Sequence, residues 1–404
     1  MIKISLPVKE TPKKLKKLLR DYKKYFTKPQ FKHFTNLIAG LIVSDKKNIQ
    51  EINDCFNKCD QSSLNRFLTK SDWDWKKIND VRLRQIKKRS KLTKGILICD
   101  PTMLHKSGKE MEKAGYHYSG MTKKKEWGHL LVDSFFLDRN DNAFPVFADI
   151  YLREKDADRK NPFRTIREMC IEQLNYALNK LPIWLVMIDA GLYADFLLKE
   201  VKANGLKYMA GVRVTNNISF DGKDRISIGD YIKTLTDTDF QYYFHDGEAY
   251  FLHVKEVYTR SVGKEKLLIS YKDGDEEEIK INTTNILNVK DETLMMLLLK
   301  RWKIEGLHRD TKQHLGLEDY QVRKFGAIQK VVCAVLVAYT QIILSKEHAI
   351  LKPLNRGLKT IGEGCRFLRL IALKGWKWLK GVAKNIEKLK DVMNSYVFVK
   401  NAKV

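Results

Sequence analysis

The sequence contains no apolar run that approaches the roughly 18 residues expected of a membrane-spanning helix. Its first residues, MIKISLPVKETPKKLKKLL, also lack the apolar core of a secretory signal, because charged residues begin almost at once. These two absences predict a soluble, cytoplasmic protein that is not attached to a membrane.

Cysteine is scarce. The six cysteines of the 404-residue chain are too few and too scattered for a disulfide framework, so we expect reduced thiols. Cys55 and Cys59 lie four residues apart on a predicted helix and would offer two metal ligands. No second pair of cysteines or histidines completes a tetrahedral set, and a structural zinc site is therefore not expected.

Acidic residues are also scarce relative to basic ones. Lysine and arginine number 75 against 49 aspartates and glutamates, which leaves a formal net charge of +26. Such an excess favours a polyanionic partner, either nucleic acid or an acidic membrane surface. The apolar content of 44% and the aromatic content of 10% indicate a globular chain with one large core or two to three smaller ones.

The basic residues concentrate in residues 1–30, 81–95 and 350–404. Solubilising tails would explain lysine-rich ends. However, leucines and aromatic residues are interleaved with the lysines, as in LKKLLRDYKKYF and GWKWLKGVAKNIEKLK. This pattern is typical of helices that pack through one face and meet phosphates with the other.

Residues 31–70 are predicted to form three short helices. Ser44 is the expected N-cap of the second helix, and Asp60 or Ser62 that of the third. Three short helices fit a helix-turn-helix arrangement, in which the third helix would present Ser62, Asn65 and Arg66 to base edges or phosphates. A small helical bundle with no role in reading a DNA groove fits the same pattern.

From residue 94 the pattern changes to strands alternating with helices, in the order β-β-β-α-β-α-β. The segments are KGILICD, HLLVDSFFLD, AFPVFADIYL, FRTIREMCIEQLNYALNKL, IWLVMID, YADFLLKEVKANG and KYMAGVRV. Residues 217–288 then alternate between apolar and polar positions around Asp246-Gly247 and Asp273-Gly274. These turn pairs predict antiparallel hairpins, inserted before the chain returns to helix.

Two apolar strands each end in an aspartate, Asp100 and Asp189, and ligands gather at strand ends in open α/β sheets. A helix that packs back across the sheet would add Glu305. Three carboxylates held together repel one another unless they bind divalent cations, and oxygen ligands favour Mg²⁺ or Mn²⁺ over zinc. Two such ions would activate a water or a 3′-hydroxyl and stabilise the leaving oxygen of a phosphodiester. Taken singly, either aspartate is more simply explained as a strand-end cap, and it is the joint order of the three acids that favours a metal site.

Residues 297–317, LLLKRWKIEGLHRDTKQHLGL, are predicted to form one amphipathic helix. At about 100° per residue, Arg301, Glu305, His308 and Lys312 fall within a narrow stripe. The ordinary explanation is a solvated face with an Arg301–Glu305 pair one turn apart. His308 would be either a DNA contact or a surface histidine without a role, and Trp302 is predicted to lie in the core rather than to stack on a base.

The spacing Arg-x3-Glu-x6-Lys of Arg301, Glu305 and Lys312, after two strand-end aspartates, resembles a known family. It is similar to that of cut-and-paste insertion-sequence transposases of the DDE class, whose signature is Tyr-x2-Arg-x3-Glu-x6-Lys. Leu298 stands where that signature has tyrosine. The Asp-Arg-Gly-Tyr usual at the second aspartate is replaced by Asp189 followed by Ala-Gly-Leu-Tyr.

The resemblance implies a ribonuclease-H-like mixed sheet with flanking helices, an inserted antiparallel β subdomain, and helical N- and C-terminal regions. It implies that Asp100, Asp189 and Glu305 are catalytic and bind two Mg²⁺ or Mn²⁺ ions, and that Arg301 and Lys312 hold transposon-end phosphates. Relatives commonly form hairpin ends with the help of a tryptophan of the insertion. Residues 217–288 contain no tryptophan, so tyrosines such as Tyr242, Tyr243 and Tyr258 would have to stack on the base, and hairpin formation stays open.

Four regions are expected: a helical DNA-binding region (1–92), a catalytic core (93–216 and 289–348), a β-rich insertion (217–288) and a basic helical C-terminal region (349–404). The expected partners are double-stranded DNA, as transposon ends and target, and a second copy of the chain in a synaptic homodimer. Two alternatives stay open, a DDE-like nuclease without strand transfer and a domesticated, non-catalytic DNA-binding protein.

Overall fold

A computed structural model describes residues 11–56, 61–119, 122–260, 262–345 and 360–372. Contacts within the chain divide it into two compact units. The helical unit comprises Met1–Ser90, His105–Ala114 and His308–Val404, and the sheet unit comprises Lys91–Leu104 and Gly115–Leu307. The predicted boundaries of the four regions stay a prediction.

The helices follow the chain in a simple order. They are α1 (Lys13–Leu19), α2 (Lys28–Val43), α3 (Ile49–Phe56), α4 (Gln61–Thr69), α5 (Trp75–Arg89), α6 (Ile166–Leu178), α7 (Asp195–Ala203), α8 (Ile228–Ile232), α9 (Asp291–Lys300), α10 (Lys303–Leu315), α11 (Phe325–Ile343) and α12 (Ile361–Ala372). Short 3-10 helices lie at Arg20–Tyr25, Glu154–Asp156 and Asp237–Asp239. Of the predicted C-terminal region, α12 falls within the described residues and most of the remainder lies outside them.

The three predicted N-terminal helices are present as α2, α3 and α4, but the predicted cap at Ser44 is wrong. Ser44 ends α2 in an extended conformation, and its hydroxyl donates to the carbonyl of Gly40. The side chain of Asn48 instead accepts from the Glu51 amide at the start of α3, at 2.9 Å. Because α4 begins at Gln61, Ser62 lies inside that helix and is not its cap, while Asp60 lies outside the described residues.

Helix α11 is the centre of the helical unit. It packs against α2, α4, α5 and α12, and almost every residue from Val331 to Ile342 is buried. Within the described ranges it is the one helix long and apolar enough to cross a membrane, but 78% of its most apolar window is buried inside the protein. Such burial is that of a core helix.

A buried polar network joins α5 to α11. Arg82 is completely buried; its Nε and Nη2 donate to Asn79 Oδ1 at 2.9 and 2.7 Å, and its Nη1 donates to Thr340 Oγ1 at 3.2 Å. Next to it, Gln341 Nε2 donates to Gln85 Oε1 at 2.7 Å. Because buried polar groups are stable only when hydrogen-bonded, this network fixes how the two helices pair.

The strands form one large sheet and a small two-stranded one. They are β1 (Gly95–His105), β2 (Gly115–Tyr118), β3 (Lys125–Asp138), β4 (Ala143–Tyr151), β5 (Ile183–Ile188), β6 (Lys207–Gly211), β7 (Asn217–Ile218), β8 (Ile226–Ser227), β9 (Gln241–His245), β10 (Glu248–Thr259), β11 (Gly263–Lys272) and β12 (Asp275–Thr284). The large sheet has the order β2-β3-β1-β5-β6-β12-β11-β10-β9, with β4 also paired to β3, and β7 pairs with β8. The predicted mixed α/β class and the order β-β-β-α-β-α-β are confirmed, with β2 as an additional short strand.

Within residues 217–288, only β7 and β8 form a separate small sheet among the described strands, and the four longer strands do not. Strands β9 to β12 are antiparallel, and β12 pairs with β6 through Thr283 and Ala210, so these strands continue the central sheet. The two predicted hairpin turns are present. At one of them, Asp246 and Gly247 have φ angles of 51° and 83°, which a two-residue hairpin turn requires.

Glu265 of β11 is a buried acid whose ionisation should oppose folding. Its side chain is inaccessible to solvent, and Tyr208 donates its hydroxyl to Glu265 Oε1 at 2.6 Å. Burial raises the pKa of Glu265, against the smaller lowering by hydrogen bonds from Thr259 and Tyr208. A raised folded-state pKa means that Glu265 contributes its full stability below the ordinary glutamate pKa of about 4.3 and loses it as the pH rises through the raised value.

We therefore expect Glu265→Gln to gain stability relative to the wild type as the pH rises through that window. The measurement is urea unfolding of both proteins from pH 4 to pH 8. As a control, Glu256→Gln removes an exposed acid of β10 that pairs with Lys264, and should change stability little. A stability difference between Glu265→Gln and the wild type that does not vary with pH would contradict the conclusion that burial raises the pKa of Glu265.

Candidate active site

The prediction that each strand ends at its aspartate is wrong for Asp100, because β1 continues to His105 and Asp100 lies in the middle of that strand, whereas Asp189 directly follows β5. Strands β1 and β5 are parallel, and Cys99 is in register with Ile188. The residues that follow this pair are Asp100 and Asp189, on backbones that lie about 4.8 Å apart in a sheet. Both residues are partly accessible to solvent, at the point where β5 ends beside β1.

The loop after β5 holds Asp189 in place from two sides. The backbone amide of Gly191 donates to Asp189 Oδ2 at 3.3 Å, and Arg167 of α6 donates from Nη2 to the carbonyl of Gly191 at 3.1 Å. On the other side lies Gly211, where a Cβ atom would be 2.6 Å from the backbone nitrogen of Ala190. Arg167 and Gly211 were not identified from the sequence, because nothing in their local pattern points to this loop.

The chain carrying Arg301 and Glu305 is not one continuous helix, so that prediction is wrong. Helix α9 ends at Lys300 and α10 begins at Lys303. Arg301 lies in the break, and its Nη1 is 3.4 Å from Asp189 Oδ1. The side chains of the pair are 23% and 47% exposed, so the guanidinium meets the carboxylate at a partly solvated position.

Trp302 also lies in this break and is 41% exposed, so the prediction that it belongs to the core is wrong. The Nζ of Lys280 lies 3.5 Å from the centroid of the Trp302 ring, and Arg301 Cζ lies 5.7 Å from it. A ring with two cations near its centroid gains cation–π energy that it would lose in the core. The contact with Lys280 of β12 explains why the Trp302 ring is exposed, although the helical period places it towards the core.

Lys280 is a cation of the site that sequence reasoning missed. Partial burial lowers its pKa; the charge of Arg301 lowers it further, and the carboxylates of Glu278 and Glu305 oppose the change. Glu305 is exposed in the first turn of α10, just after the Arg301–Trp302 break in the chain. No local motif marks Lys280, because it belongs to a strand far from the signature residues.

The candidate ligands are carboxylates, the type of oxygen ligand that divalent cations such as Mg²⁺ prefer. Asp100 and Asp189 supply two neighbouring carboxylates, and Glu305 is the third predicted ligand. Within the described residues, however, no three histidine, cysteine or acidic side chains stand together at the spacing of a metal ligand set. The role of the three acids as metal ligands therefore stays a prediction.

The other predicted DNA contacts lie in the helical unit. Asn65 and Arg66 are exposed on α4, as contact with DNA requires, and Arg66 Nη2 donates to Ser63 Oγ at 3.0 Å. Lys312 of α10 forms an ion pair with Glu318, with Nζ and Oε1 3.0 Å apart. His308 is only 9% exposed, so the expectation of a surface histidine is wrong. The DNA-binding role of these four residues stays a prediction.

The sheet unit thus defines a mixed α/β protein with one acidic residue within β1 and a second directly after the parallel strand β5. Residues 21–227 match the family described as DDE superfamily endonuclease, and the chain belongs to that family. The match includes Asp100 and Asp189. Over 343 residues, 81% of this chain and 86% of the relative, the chain is 24% identical to a Microchaete diplosiphon protein described as "Probable transposase for insertion sequence element IS701". The predicted DDE class and the likeness to insertion-sequence transposases are confirmed.

Proposed function

We propose that this protein is a DNA transposase that binds the terminal inverted repeats of its own element, cleaves phosphodiester bonds and joins the cut ends to target DNA. The observation that supports the proposal is the register of β1 and β5, in which the residues just before Asp100 and Asp189, Cys99 and Ile188, lie opposite each other in a chain of the DDE endonuclease family. In this proposal, strands β4-β3-β1-β5-β6 form the ribonuclease-H-like part of the sheet.

The acids and the cations have distinct roles in this mechanism. Two Mg²⁺ or Mn²⁺ ions, when bound, would activate the attacking hydroxyl and stabilise the leaving oxygen. Asp100 and Asp189 hold negative charge at a fixed spacing, with Glu305 as the third carboxylate. Arg301 balances Asp189 in the free protein and presents a planar fork suited to a phosphate of the bound DNA.

The remaining contacts would position the DNA. In this proposal, Asn65 and Arg66 of α4 recognise the element's end, and Lys312 binds a phosphate after leaving Glu318. The partners are double-stranded DNA and a second copy of the chain in the synaptic complex, and the site of action is the cytoplasm.

The test is an assay of cleavage and joining with duplexes that carry the element's inverted repeats. The full-length protein should nick these ends with Mg²⁺ or Mn²⁺ and join them to a supercoiled target. Nicking without joining would identify a DDE-like nuclease instead. Binding without any metal-dependent nicking would identify a non-catalytic DNA-binding protein.

Arg301→Ala should weaken binding of end DNA about tenfold or more, because a charge-assisted phosphate contact contributes about 1.5–3 kcal/mol. The slope of log affinity against log salt should decrease by about 0.9, the value for one phosphate contact. Arg301→Lys should restore the slope but only part of the affinity, since lysine cannot form a bidentate contact. Fluorescence anisotropy from 50 to 300 mM salt measures both quantities.

The matched control is Arg139→Ala, which removes an exposed arginine at the turn between β3 and β4. It should leave affinity and slope nearly unchanged. If Arg139→Ala and Arg301→Ala lower the slope equally, Arg301 contributes only to the general positive charge and makes no particular phosphate contact.

A further inference from the structure

The β2–β3 hairpin presents an aromatic face to solvent. Tyr116 is directly opposite Trp127, and Tyr118 is directly opposite Lys125. Opposite residues of an antiparallel pair lie on the same face, so these four side chains share one surface, which we call the hairpin face. Tyr116 and Tyr118 are 61% and 63% exposed, and the ring centroids of Tyr116 and Trp127 lie 5.2 Å apart at an angle of 63°.

The opposite face of the hairpin explains why the tyrosines point outward. His117, between them, is buried, and its ring lies 5.9 Å from that of Tyr151. Gly115 lies against Arg153, where a Cβ atom would be only 2.2 Å from the guanidinium carbon. Since that face is packed and strand side chains alternate, Tyr116 and Tyr118 must project away from the sheet. The packed side therefore holds the hairpin, and with it the hairpin face, in a fixed geometry.

The charge around the hairpin face is positive. Lys125 lies on the face, and Lys123 and Lys124 are exposed in the adjoining turn. None of the four residues of the face is acidic. Glu126 points to the opposite side, where its carboxylate accepts from the Thr122 hydroxyl at 2.8 Å.

A second exposed aromatic pair in the same unit lies beside acidic residues. Tyr242 and Phe244 of the edge strand β9 are 58% and 67% exposed. The turn beside them carries Asp246, whose side chain is 89% exposed, and Glu248 follows at the start of β10. Aromatic exposure is thus similar at the two places, but the lysine near the second pair, Lys272, forms an ion pair with Glu248, with Nζ and Oε1 2.8 Å apart.

We propose that the hairpin face binds unpaired bases of a DNA strand, with Tyr116 and Tyr118 stacking on successive bases and the lysines contacting the phosphates. This inference rests on the proposed function, in which DNA is the substrate. Tyr116 and Tyr118 are two positions apart on one strand, roughly 6.6 Å, or about twice the 3.4 Å separation of stacked bases. Each ring therefore meets a different base of an unstacked strand. Stacking combined with a basic surface is the usual way in which proteins bind single strands without reading their sequence.

The experiment compares binding of a 20-nucleotide oligothymidylate and of an end-sequence duplex to full-length variants. Tyr116→Ala/Tyr118→Ala should lower affinity for the single strand about tenfold or more, the loss expected when stacking on two bases is removed. Tyr116→Phe/Tyr118→Phe keeps both rings and should bind within about twofold of the wild type. Duplex binding should change little in either variant.

Tyr242→Ala/Phe244→Ala is the matched control, because it removes two equally exposed aromatic rings from an acidic edge. It should leave single-strand affinity unchanged. Three results would overturn the proposal: unchanged affinity in the double alanine variant, an equal loss in the double phenylalanine variant, or a loss of self-association in the alanine variant without a change in single-strand affinity. The last would assign the face to a second copy of the chain.

Failure of this inference is separable from failure of the proposed function. If metal-dependent nicking occurs and the alanine variant binds single strands normally, only the hairpin face has been misassigned. If nicking is absent while the alanine variant loses single-strand affinity, the hairpin face binds single strands as proposed, and the transposase proposal fails.

Discussion

Asp100→Asn, Asp189→Asn and Glu305→Gln are each expected to remain folded, to bind end DNA with near wild-type affinity, and to lose metal-dependent nicking by at least about a hundredfold. Each amide keeps the size of the acid and one acceptor oxygen but removes the charge that a divalent cation requires. Single-turnover nicking of an end duplex, with Mg²⁺ and with Mn²⁺, measures the loss. Fluorescence anisotropy of the same duplex measures binding.

Asp141→Asn provides the control for these three variants. Asp141 is exposed in the turn between β3 and β4 and has a φ of 56°, a conformation that asparagine tolerates as well as aspartate does. This variant should nick at the wild-type rate. If one of the three site variants also nicks at close to that rate, its acid does not bind the metal. For Glu305 the stripe on α10 would then be an ordinary solvated face.

Arg82→Ala should lower the free energy of unfolding by about 3–5 kcal/mol, the range seen when a buried polar partner is removed and a cavity is left. The substitution leaves Asn79 and Thr340 without the guanidinium between α5 and α11. Urea unfolding followed by circular dichroism measures the loss, and hydrogen exchange of α5 and α11 locates it.

Arg84→Ala tests whether the effect depends on burial, because Arg84 is an exposed arginine on the same helix, two residues further on. Its removal should change stability by no more than about 0.5 kcal/mol. Comparable losses in the two variants would mean that arginine at α5 acts through helix propensity or general charge. The network with Asn79 and Thr340 would then contribute little.

Local sequence patterns were sufficient to predict most of the central sheet. The runs KGILICD and IWLVMID are buried strands because residues covered on both faces must be apolar throughout. The Asp-Gly pairs identified the hairpins because few other residues adopt positive φ without strain. Strand β2 was missed because GYHY is only four residues long and its alternate side chains are exposed aromatics.

The capping of α3 shows where such patterns are ambiguous. Ser44 and Asn48 are both good N-cap residues by type, and sequence reasoning chose Ser44. In the structure the Ser44 hydroxyl bonds back to α2, which leaves Asn48 to begin the next helix. A side chain that can bond in either direction along the chain is assigned only by the path that the backbone takes.

The sequence by itself was sufficient to identify the family, because the order of the two aspartates and the Arg-x3-Glu-x6-Lys spacing can be read along the chain without any tertiary contact. Tertiary structure decided what those residues touch. The ion pair of Arg301 with Asp189, the outward turn of Trp302 beneath Lys280 and the burial of His308 each differ from what a straight helix predicts. A helical period predicts only the direction in which each side chain leaves the helix axis. The partners of the break are far away in the chain: Asp189, directly after β5, is 112 positions from Arg301, and Lys280 of β12 is 22 positions from Trp302. Their contacts therefore depend on how the whole sheet is assembled.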